Sequence, residues 1–277
     1  MGFGVDTASY LSDISWTDFY AWKPLYPAFA DRYFGGGASY QSGEFKAAYQ
    51  ATHDTLSRII PIQADVEDPN NMQTRQQTTG TTGYDYGAED ANATCATLAG
   101  ALRELNIPNS GAGQVLLYMD IEANVRLTPG YWAGWANAVF NYGLNTVGQA
   151  LFLPAIYTQY VNPNNQPPYS LNSYVADALN NASTDWPGNV VQCYRLWSAN
   201  PENCALCAPD ASADWSVFTD FYQTINGSSI LVPLYLYQYA EPGVCDPCVT
   251  NYAGGKNLDL DGSDSTGAET YMLEIIS

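Results

Sequence analysis

Residues 114–124 read "QVLLYMDIEAN", and the fold turns on how they are interpreted. Val115 through Met119 form an unbroken apolar run, the composition of a strand buried on both faces. The run then leaves through two acids, Asp120 and Glu122, with Ile121 between them. Side chains two apart on a strand project from one face, so the two carboxylates share a side, with Cα atoms about 6.8 Å apart. Unpartnered acids beside a core are costly, so a strand that ends this way needs a use for them.

The flanking segments keep a strand–helix rhythm. Toward the amino end, "FGVDTA" (3–8) reads as a strand and "WTDFYAWKPLYPAFA" (16–30) as a helix interrupted by prolines. "DRYFGG" (31–36) is a second strand, and "SGEFKAAYQATHDTL" (42–56) a helix with Ser42 as its cap. "RIIPIQAD" (58–65) is the third strand, a polar loop spans 67–86, and "EDANATCATLAGALRELNI" (89–107) is a strong helix. Beyond the fourth strand, "TPGYWAGWANAVFNYG" (128–143) opens with Thr128 as cap and Pro129 in the first turn. Strands "ALFLPAIYTQ" (150–159) and "NVVQCYRLWSA" (189–199) alternate with helices "SLNSYVADALNNA" (170–182) and "SADWSVFTDFYQTI" (212–225). "ILVPLYLYQYA" (230–240) is the seventh strand, "KNLDLDG" (256–262) a short eighth, and "GAETYMLEII" (267–276) a closing helix. Eight alternations without a linker predict an α/β fold, a single-domain (β/α)8 TIM barrel over residues 1–277. No glycine-rich phosphate fingerprint follows a strand, which disfavours a doubly wound nucleotide-binding sheet.

In such a barrel chemistry sits at the carboxyl ends of the strands. Asp6 then ends the first strand, Asp120 and Glu122 the fourth, and Asp259 the eighth, so four carboxylates converge on one mouth. Crowded acids keep one proton in place while the others stay ionised, the arrangement that glycosidic cleavage requires. The bland readings are that Asp6 caps a turn with Thr7 and Ser9, and that Asp120 and Glu122 mark a solvated edge. "NLDLDGSDSTGAE" (257–269) also has alternating oxygen ligands around Gly262, so calcium at the Asp259–Asp264 loop is a rival; otherwise no cofactor or metal is expected. The chain has 22 tyrosines and 7 tryptophans, whose flat faces suit sugar rings. Tyr118, Tyr157 and Trp197 near strand ends, with Gln63, Gln238 and Asp261 as polar partners, form the expected substrate-binding set. The single histidine, His53, falls in a helix, which disfavours a His-based triad or a multi-His zinc site.

The 28 acids and 9 bases give a net charge of −19, which repels nucleic acid and anionic membranes and suits a neutral or weakly charged glycan. No window has the apolar length of a membrane span, and the first residues carry no basic start or apolar signal core. Six cysteines, Cys95, Cys193, Cys204, Cys207, Cys245 and Cys248, include two C-x-x-C pairs, which read as disulfides ahead of a four-thiolate zinc site. Sequons at Asn92, Asn181 and Asn226 agree with an extracellular, secreted protein. The sequence is silent on oligomeric state.

Taken in order, "GFGVD", "YMDIEA", "LWSA", "LYQYAEPG" and "LDLD" resemble the family 25 glycoside hydrolases, the lysozyme-like muramidases. "RYFGGG" and "LRELNIPNSGAGQVLLYMDIE" are more similar to a related glycoside-hydrolase-like group, domain of unknown function 1906. The resemblance covers nearly the whole chain, and departs from the muramidases at "DTASYL" and at "PIQADVED". It implies Glu122 as general acid, Asp120 as stabiliser of a positively charged intermediate, and Asp6 and Asp259 as the remainder of the acidic cluster. If the sugar is N-acetylated, its carbonyl serves as internal nucleophile. The expectation is therefore a glycoside hydrolase acting on a polysaccharide or cell-wall glycan. The alternative is a barrel that binds glycan, or builds a surface assembly, without turnover.

Overall fold

The computed structural model describes residues 3–7, 9–22, 26–35, 40–63, 83–104, 113–121, 126–145, 151–161, 168–186, 192–199, 215–240, 259–263 and 272–274. Its first five larger strands are β1 (Phe3–Asp6), β2 (Phe29–Gly35), β3 (Arg58–Gln63), β4 (Gln114–Ile121) and β5 (Leu151–Thr158). The short pair β6 (Tyr160–Val161) and β7 (Ser170–Leu171) follows, then β8 (Leu196–Ala199). β9 (Phe221–Ile225), β10 (Ser228–Val232), β11 (Leu234–Ala240), β12 (Asp259–Ser263) and β13 (Leu273–Glu274) complete the strands. The helices are α1 (Trp16–Trp22), α2 (Glu44–Ala51), α3 (Gly83–Glu104), α4 (Pro129–Asn145) and α5 (Ser173–Asp185).

Seven strands form a curled parallel sheet in the order β11-β8-β5-β4-β3-β2-β1, and β12 pairs antiparallel with both β1 and β11. The quoted stretch is central: β4 matches β5 residue for residue from Gln114–Leu151 to Ile121–Thr158. Every residue of β4 after Gln114 is buried, as the apolar run predicts. Strand alternation divides the core in two. Phe29, Ile60, Ile62, Leu116, Tyr118, Leu153, Ala155, Trp197 and Leu236 pack together inside the curl. Leu117, Met119, Ile121, Phe152 and Ile156 face the other way, into the larger core that includes Tyr131, Trp132 and Trp135 of α4.

Four helices begin within three residues of where their sequence signals place them, whereas α3 begins at Gly83, inside the expected 67–86 loop. Thr128 Oγ1 accepts the Tyr131 N–H at 3.3 Å, and Asn172 Oδ1 accepts the Tyr174 N–H at 3.0 Å, satisfying first-turn donors. Helix α2 is capped differently from expectation: Gly43, at φ 83°, takes the N-cap position without a side-chain bond. Glu44 Oε1 instead reaches back to the Gln41 N–H at 3.0 Å, so Ser42 is not the cap. Helices α3 and α4 cross closely because each presents a glycine to the other's backbone. A Cβ on Gly134 would overlap the Tyr84 carbonyl oxygen, and one on Gly87 the Tyr131 carbonyl oxygen.

Four expected elements are corrected. The helix expected over 212–225 is, where described, a 3-10 turn (Trp215–Val217) followed by β9. β9 pairs with β10 through Asn226 and Gly227, both at positive φ (48° and 78°), the signature of a type I′ hairpin turn. The expected seventh strand divides at Pro233 into the end of β10 and all of β11, since proline donates no ladder bond. The expected eighth strand is present as β12 but runs antiparallel, and Leu273–Glu274 pair with β3 where a closing helix was expected. Among the described residues the expected repeat appears as five strand–helix units, two further parallel strands, a hairpin and an antiparallel strand. No helix among the described residues is long and apolar enough to cross a membrane.

Candidate active site at the carboxyl edge of the sheet

The strand register decides which acids meet. Asp6, the last residue of β1, lies directly across from Asp259, the first residue of the antiparallel β12. Residues opposed in an antiparallel pair have Cα atoms about 5 Å apart. Two strand positions on, Asp261 is flanked in register by Gly4 of β1 and Gln238 of β11. On the far side of the curl, Asp120 on β4 is paired with Tyr157 on β5, and Tyr157 in turn with Trp197 on β8. Thr158 donates its hydroxyl to the Ile121 carbonyl at 3.0 Å, which fixes the exit of β4 one residue before Glu122. Glu122 itself lies outside the described residues, as do Asp264 and the four cysteines of the C-x-x-C pairs.

Between these acids runs a buried aromatic and amide bridge. Trp197 Nε1 donates to Asp261 Oδ1 at 3.2 Å, and both residues are fully buried. The Tyr157 hydroxyl donates to Gln238 Oε1 at 2.5 Å. Trp197 is met edge-on by Tyr157, with centroids 4.7 Å apart, and by Tyr118 at 5.6 Å. Tyr157 is half-buried and Asp120 is 8% exposed, whereas Tyr118, Trp197, Gln238 and Asp261 are enclosed. Burial pushes the Tyr118 phenol well above its ordinary value, with Cys193 and Tyr235 adding and Arg195 opposing, so its proton stays on. Asp259–Ser263 form strand β12, and the remainder of the segment named for calcium, Asp264 included, lies outside the described residues.

A carboxylate that sequence reasoning missed belongs to the same face. Asp31 on β2 lies between Phe29, in the inner core, and Tyr33, packed against it, and is fully buried. Its Oδ1 accepts the Thr7 N–H at 2.7 Å, the charge-assisted bond that holds the backbone immediately after Asp6. Thr7 Oγ1 closes the following turn by accepting the Ser9 N–H at 3.0 Å. The only sequence signal for Asp31 is an acid inside the otherwise strand-like "FADRYF". Its neighbour Arg32 points outward, its Nε bonded to Glu44 Oε1 of α2 at 2.8 Å in a buried ion pair.

Gln63 is placed elsewhere. Its Oε1 accepts from Trp135 Nε1 at 2.5 Å and Thr94 Oγ1 at 3.0 Å, and its Nε2 donates to the Tyr131 hydroxyl at 3.3 Å. Tyr131 donates onward to Asp90 Oδ2 at 2.7 Å. The amide thus joins β3 to α3 and α4 in the helix layer, opposite the face that carries Asp120. The disulfide expectation is also corrected for two of the six cysteines. Cys95 and Cys193 are free, buried thiols whose pKa burial raises far above the ordinary value.

No family model and no curated protein matches the chain. Among solved structures, the chain is similar to an uncharacterized B. stearothermophilus protein, with a TM-score of 0.55 and 17% sequence identity over 99% of this chain and 100% of that one. That likeness is one of fold. A muramidase from Acremonium alcalophilum aligns over 98% of both chains, with a TM-score of 0.42 and 13% identity.

Proposed function

We propose that the chain is a glycoside hydrolase whose strands close into an eight-stranded barrel, with a neutral or weakly charged glycan bound across its carboxyl edge. The observation that carries the reading is the register opposing Asp6 to Asp259, with Asp261 two positions on and Asp120 on the same inner face. Placing so many acids on one end of a sheet costs stability unless they serve chemistry. Glu122 is the proton donor to the leaving oxygen, and Asp120 offsets positive charge developing at the anomeric carbon. Asp6 and Asp259 complete the cluster that keeps the donor loaded, and Tyr157 offers its ring to the sugar. Asp31 acts through the Thr7 amide and is a positioning residue. The protein acts outside the cell, where such polymers are found.

A second reading has its own support: of the described inner acids, Asp31 and Asp261 already hold the Thr7 amide and the Trp197 indole. Acids spent internally suit a barrel that binds glycan without cutting it. The two readings part on product. Soluble oligosaccharides and insoluble wall polymers are incubated with wild type, Glu122→Gln and Asp120→Asn, and new reducing ends are measured. The hydrolase reading expects wild-type cleavage and a loss of about 10²–10⁴-fold in Glu122→Gln. Retained binding with no cleavage by wild type establishes the second.

A further inference from the structure

A second cleft of about 370 Å³ opens beside the β9–β10 hairpin, lined by Tyr160, Phe218, Asp220, Phe221, Leu231 and Leu234 among others. None of Asp120, Tyr157, Trp197, Gln238 or Asp261 lines it. Phe218 meets Tyr237, whose ring belongs to the outer core, with centroids 4.8 Å apart, so the cleft lies on the outer flank of the sheet. Its volume is at the small end of the roughly 300–1,000 Å³ typical of small-molecule sites.

Its walls are chemically uneven. Tyr160 and Phe218 stand nearly perpendicular (84°) with centroids 5.2 Å apart, forming an aromatic corner. Asp220 is exposed, and its charge adds to the burial that holds the proton on the Tyr160 hydroxyl. The cleft thus offers a carboxylate acceptor beside an aromatic corner. One of its lining residues, Leu231, is an exposed large hydrophobic side chain. Leu231 (43% exposed) and Tyr222 (51%) are cross-strand partners on the hairpin, and Val161 (41%) is next to Tyr160 in the chain. Exposed aromatic and aliphatic faces clustered round a recess mark a binding surface.

We propose that this cleft is a second saccharide site, holding one or two neutral pyranose rings. A sugar has an apolar C–H face for Leu231 and its cross-strand partner Tyr222, and hydroxyls that donate to the Asp220 carboxylate. The net charge of −19 turns away an anionic ligand. The choice of a sugar rests on the glycan reading of the first site. Seated on the flank, the second site keeps a long polymer on the protein while another stretch occupies the carboxyl edge.

Binding is read by calorimetry on the full chain with chitotetraose, cellotetraose and maltotetraose, for wild type, Asp220→Ala, Tyr222→Ala and Asp120→Asn. These side chains are exposed or near the surface, and a thermal melt of each variant confirms folding. The expected result is binding of at least one saccharide by wild type and Asp120→Asn. Asp220→Ala and Tyr222→Ala then lose that event or weaken it at least tenfold. Binding abolished only by Asp120→Asn overturns the flank site and leaves the glycan reading standing. Absence of saccharide binding, or capture of benzyltrimethylammonium in place of sugar, also overturns it, while hydrolysis of insoluble polymer judges the first site separately.

Discussion

The Arg32–Glu44 pair gives the sharpest stability prediction, because it anchors the strand that presents Asp31. Its nitrogen and oxygen are 2.8 Å apart, with side chains 0% and 1% exposed. At an effective dielectric constant of about 20, the gross attraction at that distance is roughly 6 kcal/mol. Desolvation of two ions offsets most of it, so the net worth of the pair is small while loss of one partner is severe. Glu44→Leu removes the carboxylate beside a buried guanidinium and also the acceptor of the Gln41 N–H. The expected cost is about 3–5 kcal/mol, with the Tyr10 ring, 4.9 Å from the guanidinium, recovering a small part. Arg32→Met combined with Glu44→Leu removes both charges and should be much closer to wild type than the sum of the single variants. Urea unfolding followed by tryptophan fluorescence measures all four proteins. A Glu44→Leu cost below about 1 kcal/mol, or additive single costs, would refute the reasoning.

Three further outcomes follow from the packing. Gln63→Leu leaves the Trp135 indole N–H and the Thr94 hydroxyl without their acceptor, and should cost about 2–5 kcal/mol in urea melts while saccharide binding by the folded protein is retained. Gly134→Ala sets a methyl against the Tyr84 carbonyl, which cannot swing aside, so a loss of about 1–3 kcal/mol or more is expected from thermal unfolding, and an unchanged melting temperature contradicts the close crossing of α3 and α4. Burial raises the folded-state pKa of Cys95 and Cys193 above the unfolded value of about 8.5, so the stability they contribute is complete below that pH and declines as pH rises past it. The slope reaches about 1.4 kcal/mol per pH unit for each thiol, and urea midpoints between pH 8 and pH 10 should flatten in Cys95→Ala and Cys193→Ala.

The parts of the fold that could be read in advance are those where local chemistry and tertiary demand agree. The apolar run of β4, the Thr128–Pro129 start of α4 and the strand character of "ALFLPAIYT" all carry signals within a few residues. The hairpin was missed although Asn226–Gly227 is a strong turn signal, because the aromatic-rich 212–225 stretch also fits a helical face. The antiparallel sense of β12 has no local signature, since a short "DLDGS" pairs equally well in either direction. In the candidate site, Asp6 and Asp120 stand out at or next to the ends of apolar strands, and Asp259 and Asp261 in the short acidic "LDLD". Asp31 does not, because its role depends on the Thr7 amide of another strand. Gln63 is the complementary case: its position at a strand end says nothing about the helix-layer partners that hold its amide.

Polymer hydrolysis in ¹⁸O-water, with products read by mass spectrometry, bears on the central claim most directly. Wild type should release oligosaccharides carrying the heavy oxygen at the new reducing end, and Glu122→Gln should release almost none. Equal labelled product from both proteins, or none from wild type with any glycan it binds, contradicts a hydrolytic site at the carboxyl edge of this sheet.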